Sequence, residues 1–232
     1  MASDITPALL ACQSPDAATR SAAEEHLRQF QAQDFSGFLV ALCSELSSVS
    51  KPADARRLAG LLLKNALDAK DDVRRREMHA RWTALDPTLK QNIRQAVVVT
   101  LQSDVPEVRH TAAMVVAKVA AIDLIRKEWP TLITTLKQNV DAPPQQPGAL
   151  GARQATLEAM GYICEEMAQI KDEVLTAQEV NMILTAVVTG MGQNETNEMR
   201  LAATTALCNA IEVASHNFEN DQERNVLMQV GP

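Results

Sequence analysis

The sequence is poor in aromatic residues, glycine and proline, and each shortage narrows the class of protein. Aromatic residues make up 3% of the 232 residues, whereas 46% are hydrophobic. The core must therefore consist of Ala, Leu, Val, Ile and Met, a composition that favours close packing of helices over a sheet. Gly and Pro number only eight and ten, and most of them stand at breaks between apolar segments, as helices with short loops require.

Cysteine is scarce as well, and its four positions are far apart: Cys12, Cys43, Cys164 and Cys208. Each lies in an apolar segment, which predicts reduced, packed thiols in a cytosolic or nuclear compartment. No apolar run approaches about 18 residues, and the N-terminus has no basic-then-apolar signal. We therefore expect neither a secreted nor a membrane-spanning protein.

Positive charge is also in deficit, because the formal net charge is −7. Nucleic-acid-binding modules carry a clustered positive surplus, so this balance argues against nucleic acid as a partner. An acidic chain suits basic protein partners instead. The basic run of residues 74–76 is offset by Asp71, Asp72 and Glu77, which indicates a solvated helix face more than a docking patch.

Motifs for catalysis or for binding a metal ion or cofactor are lacking too. There is no phosphate-cradling Gly-rich loop, no His-x-x-x-His spacing and no paired-Cys motif. Glu165 and Glu166 are adjacent and would face different directions on a helix, so they do not form a catalytic pair. Cys164 has no identifiable base and is better explained as a packing thiol. We expect a non-enzymatic binding protein with no cofactor and no metal.

What the sequence does contain is a succession of helix signals. Asp34 precedes an apolar stripe, and Ser14-Pro15-Asp16 and Asp86-Pro87 combine a capping residue with Pro in the first turn. Trp129-Pro130 would start or kink a helix. The predicted helices span residues 3–12, 14–31, 34–46, 52–67, 71–81, 86–101, 104–121, 124–140, 150–164, 178–191, 195–214 and 220–230.

The helix predicted over residues 150–164 shows the expected packing most clearly. Its larger apolar residues recur at helical spacing, and small residues between them leave room for a neighbouring helix to lie close. The large set is Leu150, Leu157, Met160 and Cys164, and the small set is Ala152, Ala155, Ala159 and Gly161.

An Arg-x-Ala opening repeats along the chain at intervals of roughly 40 to 50 residues, at Arg20, Arg57, Arg153 and Arg200, with a looser copy at Arg109. Tandem helix pairs of the armadillo and HEAT type have this period. One pair cannot bury its apolar face alone, so neighbours stack into a solenoid. The sequence thus predicts an all-α fold, a HEAT-repeat α-solenoid. We expect residues 1–232 to form one solenoid of about five repeats plus the start of a sixth, the N-terminal fragment of a longer chain.

Two stretches resemble the N-terminal part of the importin-β (karyopherin) family of nuclear import receptors. Residues 156–164, TLEAMGYIC, look like an inner helix of the family's fourth repeat, and residues 59–65, AGLLLKN, are similar to another stretch of the family. Shorter matches follow in the same order, and the resemblance covers essentially the whole chain. It departs over residues 104–123 and in the loop of residues 143–148. The resemblance implies a right-handed superhelix of stacked antiparallel helix pairs.

The resemblance also implies partners. The family's first repeats bind Ran-GTP on the concave face, and its fifth and sixth repeats bind Phe-Gly nucleoporins on the convex face. The adaptor importin-α is held mainly by later repeats, which this chain lacks, so we expect adaptor or cargo to bind only through those. We expect the protein to occur in the cytoplasm, in the nucleus and at the pore complex of the nuclear envelope. We expect it to bind neither nucleic acid nor membranes.

The residues that the family's two surfaces imply fall into two sets. For nucleoporins they are Leu184, Thr185, Val188, Glu223, Val226 and Leu227. Apolar members would line a slot for a Phe ring, while Thr185 and Glu223 would hydrogen-bond the peptide. Val226 stands where the family often has an aromatic residue. For Ran they are Lys64, Asn65 and Asp68, with Asp68 one helical turn after Lys64.

Simpler explanations stand beside these assignments. The apolar nucleoporin set would also serve as core between repeats, and the Ran set as a solvated helix face. For the protein as a whole the alternative is a HEAT scaffold of another class, such as a phosphatase regulatory subunit. A hydrolase with an unrecognised site is a more distant one.

Overall fold

The structure is a computed structural model, and it describes residues 3–143, 148–170 and 174–214. Every regular element in those ranges is an α-helix, so the predicted all-α fold is confirmed. The helices are α1 (Thr6–Ala11), α2 (Ala17–Gln33), α3 (Phe35–Ser47), α4 (Ala53–Asn65), α5 (Asp72–Thr83), α6 (Pro87–Thr100), α7 (Pro106–Asp123), α8 (Leu132–Asp141), α9 (Ala149–Ala168), α10 (Ala177–Gly190) and α11 (Asn197–Ala210). The helix predicted over residues 220–230 lies outside the described residues.

The chain divides into two compact units, Met1–Val115 and Val116–Pro232. In the first unit, α3 packs against α2, α4 and α6, and α1 packs against α2 and α4. Four of the five residues predicted for the apolar stripe of α3 (Phe38, Leu39, Leu42 and Leu46) are at most 2% exposed, whereas the fifth, Phe35, is half-buried. The helix predicted over residues 71–81 is α5, which buries Trp82 completely and places the Arg81 guanidinium 4.0 Å from the centre of the Phe35 ring.

In the second unit, α8 packs on α9 and α10, and α11 packs on α9 and α10. First helices of consecutive pairs thus meet each other (α8 with α10), as do second helices (α9 with α11), which is the stacking that a HEAT repeat requires. The small residues of α9 are buried with Leu157, Met160 and Cys164. Leu150, in the first turn of α9, is an exception and is 44% exposed.

Capping residues fix where the helices begin. The carboxylates of Asp34 and Asp86 accept backbone N–H groups of α3 and α6, as predicted. The start of α2 was wrongly predicted at Ser14. The cap is Asp16, whose carboxylate accepts the Thr19 N–H at 2.8 Å, while Ser14 Oγ accepts the Asp16 N–H. Pro130 begins a turn rather than a helix, and α8 starts only at Leu132.

The packing predicted for residues 52–67 is only partly confirmed. Ala66 and Leu67 are buried as expected, whereas Leu58, Leu61 and Leu62 are half-buried. The buried face of α4 carries Ala55, Arg56, Ala59, Gly60 and Leu63 instead. Small residues face inward because the neighbouring helix comes very close. A Cβ added to Gly60 would lie 2.4 Å from Thr111 Cγ2.

The repeating arginine is confirmed with one correction, because Arg56 rather than Arg57 belongs to the series. Arg56 is 4% exposed, and it donates from Nε to the Leu46 carbonyl (3.0 Å) and from Nη2 to Ser103 Oγ (3.1 Å). The fourth residue of α2, α4, α7 and α11 and the fifth of α9 are then arginines: Arg20, Arg56, Arg109, Arg200 and Arg153. The two buried members, Arg56 and Arg153, each tie a second helix to the last turn of the helix before it and to the loop before the next second helix.

Candidate functional site

The first candidate surface is the carboxyl end of α4, where the chain was expected to meet Ran. Lys64 is half-buried in the last helical turn, and Asn65, the last residue of α4, is exposed. A cation in the last turn is favourable because unsatisfied carbonyls carry partial negative charge. This local role explains Lys64 without any partner, whereas it does not explain Asn65.

Asp68 does not lie one helical turn after Lys64, as was predicted. The helix ends at Asn65, and the N–H of Ala66 and of Leu67 close a turn on the carbonyls of Leu62 and Lys64. Leu67 is fully buried and anchors this turn, so Asp68 stands in the following loop instead of one turn further along α4.

Two of the three side chains are available for a partner. Within the described ranges, the Lys64 ammonium and the Asn65 amide make no side-chain hydrogen bond or ion pair, whereas Asp68 already makes an interaction inside the protein. The end of α4 therefore presents one uncommitted cation and one uncommitted amide, which can bind a carboxylate and backbone groups, respectively.

The second candidate surface is on α10, which begins with a reciprocal cap. The Thr176 hydroxyl accepts the Glu179 N–H, and the Glu179 carboxylate accepts the Thr176 N–H. The inner stripe of α10 contains Val180, Ile183 and Val187. This cap and stripe set which side chains of α10 point away from the core.

The three described nucleoporin candidates differ in exposure. Leu184 is 5% exposed, Val188 is half-buried and Thr185 is exposed. The Thr185 hydroxyl donates to the Asn181 carbonyl at 2.7 Å, which leaves its oxygen free to accept from a peptide. Leu184 thus belongs to the repeat core in this structure, and Val188 is the apolar side chain at its edge. Glu223, Val226 and Leu227 lie outside the described residues.

A row of polar side chains that was not predicted lies on the same side of α10. Asn181, Thr185 and Thr189 follow each other at intervals of four and are all exposed. The Thr189 hydroxyl donates to the Thr185 carbonyl at 2.8 Å. The Asn-x-x-x-Thr-x-x-x-Thr spacing was the available signal, because residues four apart share a helix face.

The thiols of Cys43 and Cys164 are buried as predicted, whereas Cys12 is half-buried and Cys208 is exposed. Burial raises the pKa of the Cys164 thiol, and likewise that of Cys43, to about 12, so neither is a nucleophile near neutral pH. Glu166 pairs with Lys118 at 2.6 Å, whereas Glu165 is exposed. Among the described residues no three His, Cys, Asp or Glu side chains are placed to hold a metal ion, and no helix is long and apolar enough to cross a bilayer.

Comparison with known proteins assigns the family. The importin-beta N-terminal domain model matches residues 23–103. Importin subunit beta-1 of Arabidopsis thaliana is 48% identical over 231 residues, which is 99% of this chain and 26% of that protein. The chain belongs to the importin-β family.

Two solved importin-β family structures superpose closely on the chain. One shows that Kap95p binding induces the switch loops of RanGDP to adopt the GTP-bound conformation, and it has a TM-score of 0.88 at 30% identity. The other is a Kap95:Nup1 complex, with a TM-score of 0.87 at 31% identity. Each covers 97% of this chain, and the chain covers 26% of each.

Membership of the importin-β family confirms the resemblance seen in residues 59–65 and 156–164. It also confirms the predicted fold class, a HEAT-repeat solenoid. The chain spans about a quarter of the length of the curated relatives that it matches. The partners of the full-length relatives can therefore only be proposed for this chain.

Proposed function

We propose that this chain acts in nuclear import of proteins, binding Ran-GTP at the end of α4 and Phe-Gly nucleoporins on the outer side of α10. The observation that carries the proposal is 48% identity to importin subunit beta-1 along 99% of the chain. Relatives of the same fold occur in structures with Ran and with Nup1. Its role is that of a transport receptor and not that of an enzyme. The receptor works in the cytoplasm, the nucleus and the nuclear pore, and it binds adaptor or cargo through the later repeats of the family's full-length proteins.

The Ran surface is built on the second helix of a repeat. Asn65 pairs with backbone groups of a switch loop, because its amide both donates and accepts. Lys64 pairs with a carboxylate, and Asp68 reaches the partner from the loop after the helix. Since the nucleotide orders the switch loops, contacts of this kind make binding depend on whether Ran carries GTP or GDP.

Removing the two uncommitted side chains should weaken Ran binding. We expect the Lys64→Ala/Asn65→Ala double variant to bind Ran loaded with a GTP analogue about 10- to 100-fold less tightly, because hydrogen bonds that involve charged groups contribute about 1.5–3 kcal/mol. Isothermal titration calorimetry measures the change. The matched control is Asn92→Ala, an equally exposed asparagine on α6, which should bind like the wild type. If the double variant also binds like the wild type, the end of α4 is not the Ran surface.

The nucleoporin surface uses the rim of the repeat core. A Phe ring inserts beside Val188, with buried Leu184 beneath it and the Thr185 oxygen accepting a peptide N–H. The family resemblance implies Glu223, Val226 and Leu227 as further residues that contact the peptide. One shallow pocket gives weak binding and fast release, which suits a receptor that moves through a pore.

A charged side chain at this rim should weaken the binding of a Phe-Gly peptide. We expect Val188→Asp to lower affinity for a Phe-Gly peptide at least tenfold, because a carboxylate must then be desolvated beside the ring. The matched control is Val73→Asp on α5, where the wild-type side chain is 57% exposed. Peptide titration by NMR, with circular dichroism to check folding, reports both. If the Val188→Asp variant still binds the peptide as the wild type does, the nucleoporin pocket does not lie on α10.

A further inference from the structure

A cluster of four polar side chains holds α1 against the rest of the first unit. Lys51 Nζ donates to Asp4 Oδ1 at 2.7 Å and to Thr6 Oγ1 at 2.6 Å. Thr6 Oγ1 lies 2.6 Å from Asp4 Oδ1 and 2.9 Å from Glu45 Oε2. We call Asp4, Thr6, Glu45 and Lys51 the N-terminal clasp. It joins the chain before α1 and its first residue to α3 and to the loop after α3.

The N-terminal clasp contains more negatively charged groups than positively charged ones. Its two carboxylates share one ammonium group and one hydroxyl proton, so its net charge is negative. Lys51 holds the pKa of Asp4 well below its usual range, which keeps that carboxylate ionised. Glu45 is 3% exposed, and its Oε1 has no hydrogen-bond partner among the described residues. Another negative group at Thr6 would face two carboxylates and a single cation.

The sequence places a kinase motif at the centre of the clasp. Thr6 is followed by Pro7, and the only other Ser or Thr before a proline is Ser14. Pro7 is exposed and Thr6 is half-buried. The helix that contains them has six residues, which is too short to be stable without its docking contacts. Local opening therefore presents an extended Thr-Pro segment to an enzyme.

We propose that Thr6 is a phosphorylation site for a proline-directed protein kinase, and that its phosphate releases α1 from the first unit. The kinase transfers the γ-phosphoryl group of ATP to Thr6 Oγ1. A new P–O bond forms there as the bond between the γ-phosphorus and the bridging oxygen breaks, and ADP and the hydroxyl proton leave.

The phosphate acts by repulsion. It adds a charge of about −1.5 to −2 at an oxygen that lies within 3 Å of both carboxylates. Thr6 then loses its hydroxyl proton as a donor to either carboxylate, and Lys51 alone cannot neutralise three anionic groups. Undocking exposes Ile5 and Leu9, which are 3% and 0% exposed. The modified segment therefore presents apolar side chains that the unmodified protein covers.

The first test is the kinase reaction on the Ser14→Ala chain, which keeps Thr6 as its single Ser/Thr-Pro site. A proline-directed kinase with ATP should phosphorylate this chain at Thr6, as located by mass spectrometry. Adding Lys51→Ala should raise the initial rate several-fold, because the clasp competes with the open form that the kinase needs. No phosphate at Thr6, or a rate that Lys51→Ala leaves unchanged, would overturn the proposal.

The second test measures undocking by hydrogen exchange. Amides of residues 8–13 should exchange at least tenfold faster in the phosphorylated chain than in the unmodified chain. Thr6→Val supplies the comparison, because it removes the hydroxyl without adding charge and should produce a smaller acceleration. If the phosphorylated chain exchanges no faster than Thr6→Val, repulsion is not what opens the clasp and the proposed release fails.

Discussion

Replacing Gly161 with alanine should lower the free energy of unfolding by about 3 kcal/mol, near the upper end for overpacked sites. Gly161 is buried in α9, and an added Cβ would lie 2.9 Å from Ala206 Cα and 3.1 Å from Ala206 Cβ in α11. Backbone atoms form the closest contact, so no side chain can turn aside to make room. The substitution forces the two helices apart, and chemical denaturation measures the loss.

The same helix provides the control. Gly151 is half-exposed in the first turn of α9, and alanine is preferred to glycine in helices by about 0.5–1 kcal/mol. Gly151→Ala should therefore leave stability unchanged or raise it slightly. Equal effects at the two glycines would contradict the close approach of α9 to α11.

The second large effect is expected at Arg153, whose side chain is 6% exposed. Its Nε donates to the Val140 carbonyl at 2.8 Å, and its Nη2 donates to Glu195 Oε1 at 2.7 Å. Arg153→Ala leaves a largely buried carboxylate and a buried carbonyl without their donor. Breaking such a pair costs about 3–5 kcal/mol, so we expect a loss of this size in thermal or chemical unfolding.

Two further variants separate the cause from simple loss of a charge. Lys137→Ala breaks the Lys137–Asp141 pair, which joins residues four apart with Asp141 half exposed, and should cost at most about 0.5 kcal/mol. Arg153→Lys keeps the charge but loses the planar fork, and should recover only part of the stability. An Arg153→Ala loss no larger than that of Lys137→Ala would show that the buried pair contributes little.

The sequence was sufficient for the fold because several local signals agree. Asp34 and Asp86 cap helices whose apolar stripes begin at once, and the arginines repeat with a HEAT-like period. The small residues of α9, including Gly161, correctly predicted a close helix neighbour. A repeat protein is well suited to this reasoning, since each helix pair contacts mainly its neighbours.

Errors arose where two local choices are nearly equivalent. Ser14 and Asp16 are both good caps, and only the structure shows that the Asp16 carboxylate accepts the Thr19 N–H. In α4, leucines were favoured for the interior over alanine, glycine and arginine. Close packing against Thr111 and the carbonyl acceptor for Arg56 reversed that ranking, and neither contact can be read from the sequence around α4.

The candidate sites were less predictable than the fold. Lys64 and Asn65 came from family resemblance. Asn65 is exposed and Lys64 is half-buried, and neither side chain forms a hydrogen bond or ion pair with another described residue. Asp68 was misplaced because the buried turn at Leu67 ends the helix earlier than its apolar pattern indicates. Leu184 was predicted to line a slot, but core packing beneath α10 buries it, which leaves Val188 and Thr185 as the accessible members of the set among the described residues.

The most direct test of the proposed function is the affinity of this chain for Ran in its two nucleotide states. Kap95p binding induces the switch loops of RanGDP to adopt the GTP-bound conformation. We therefore expect part of the binding free energy of Ran-GDP to be used in rearranging its switch loops, which Ran-GTP does not need. Calorimetric titration should show binding at least tenfold tighter for Ran with a GTP analogue than for Ran-GDP. Equal affinities, or no binding by a folded chain, would contradict the import-receptor account.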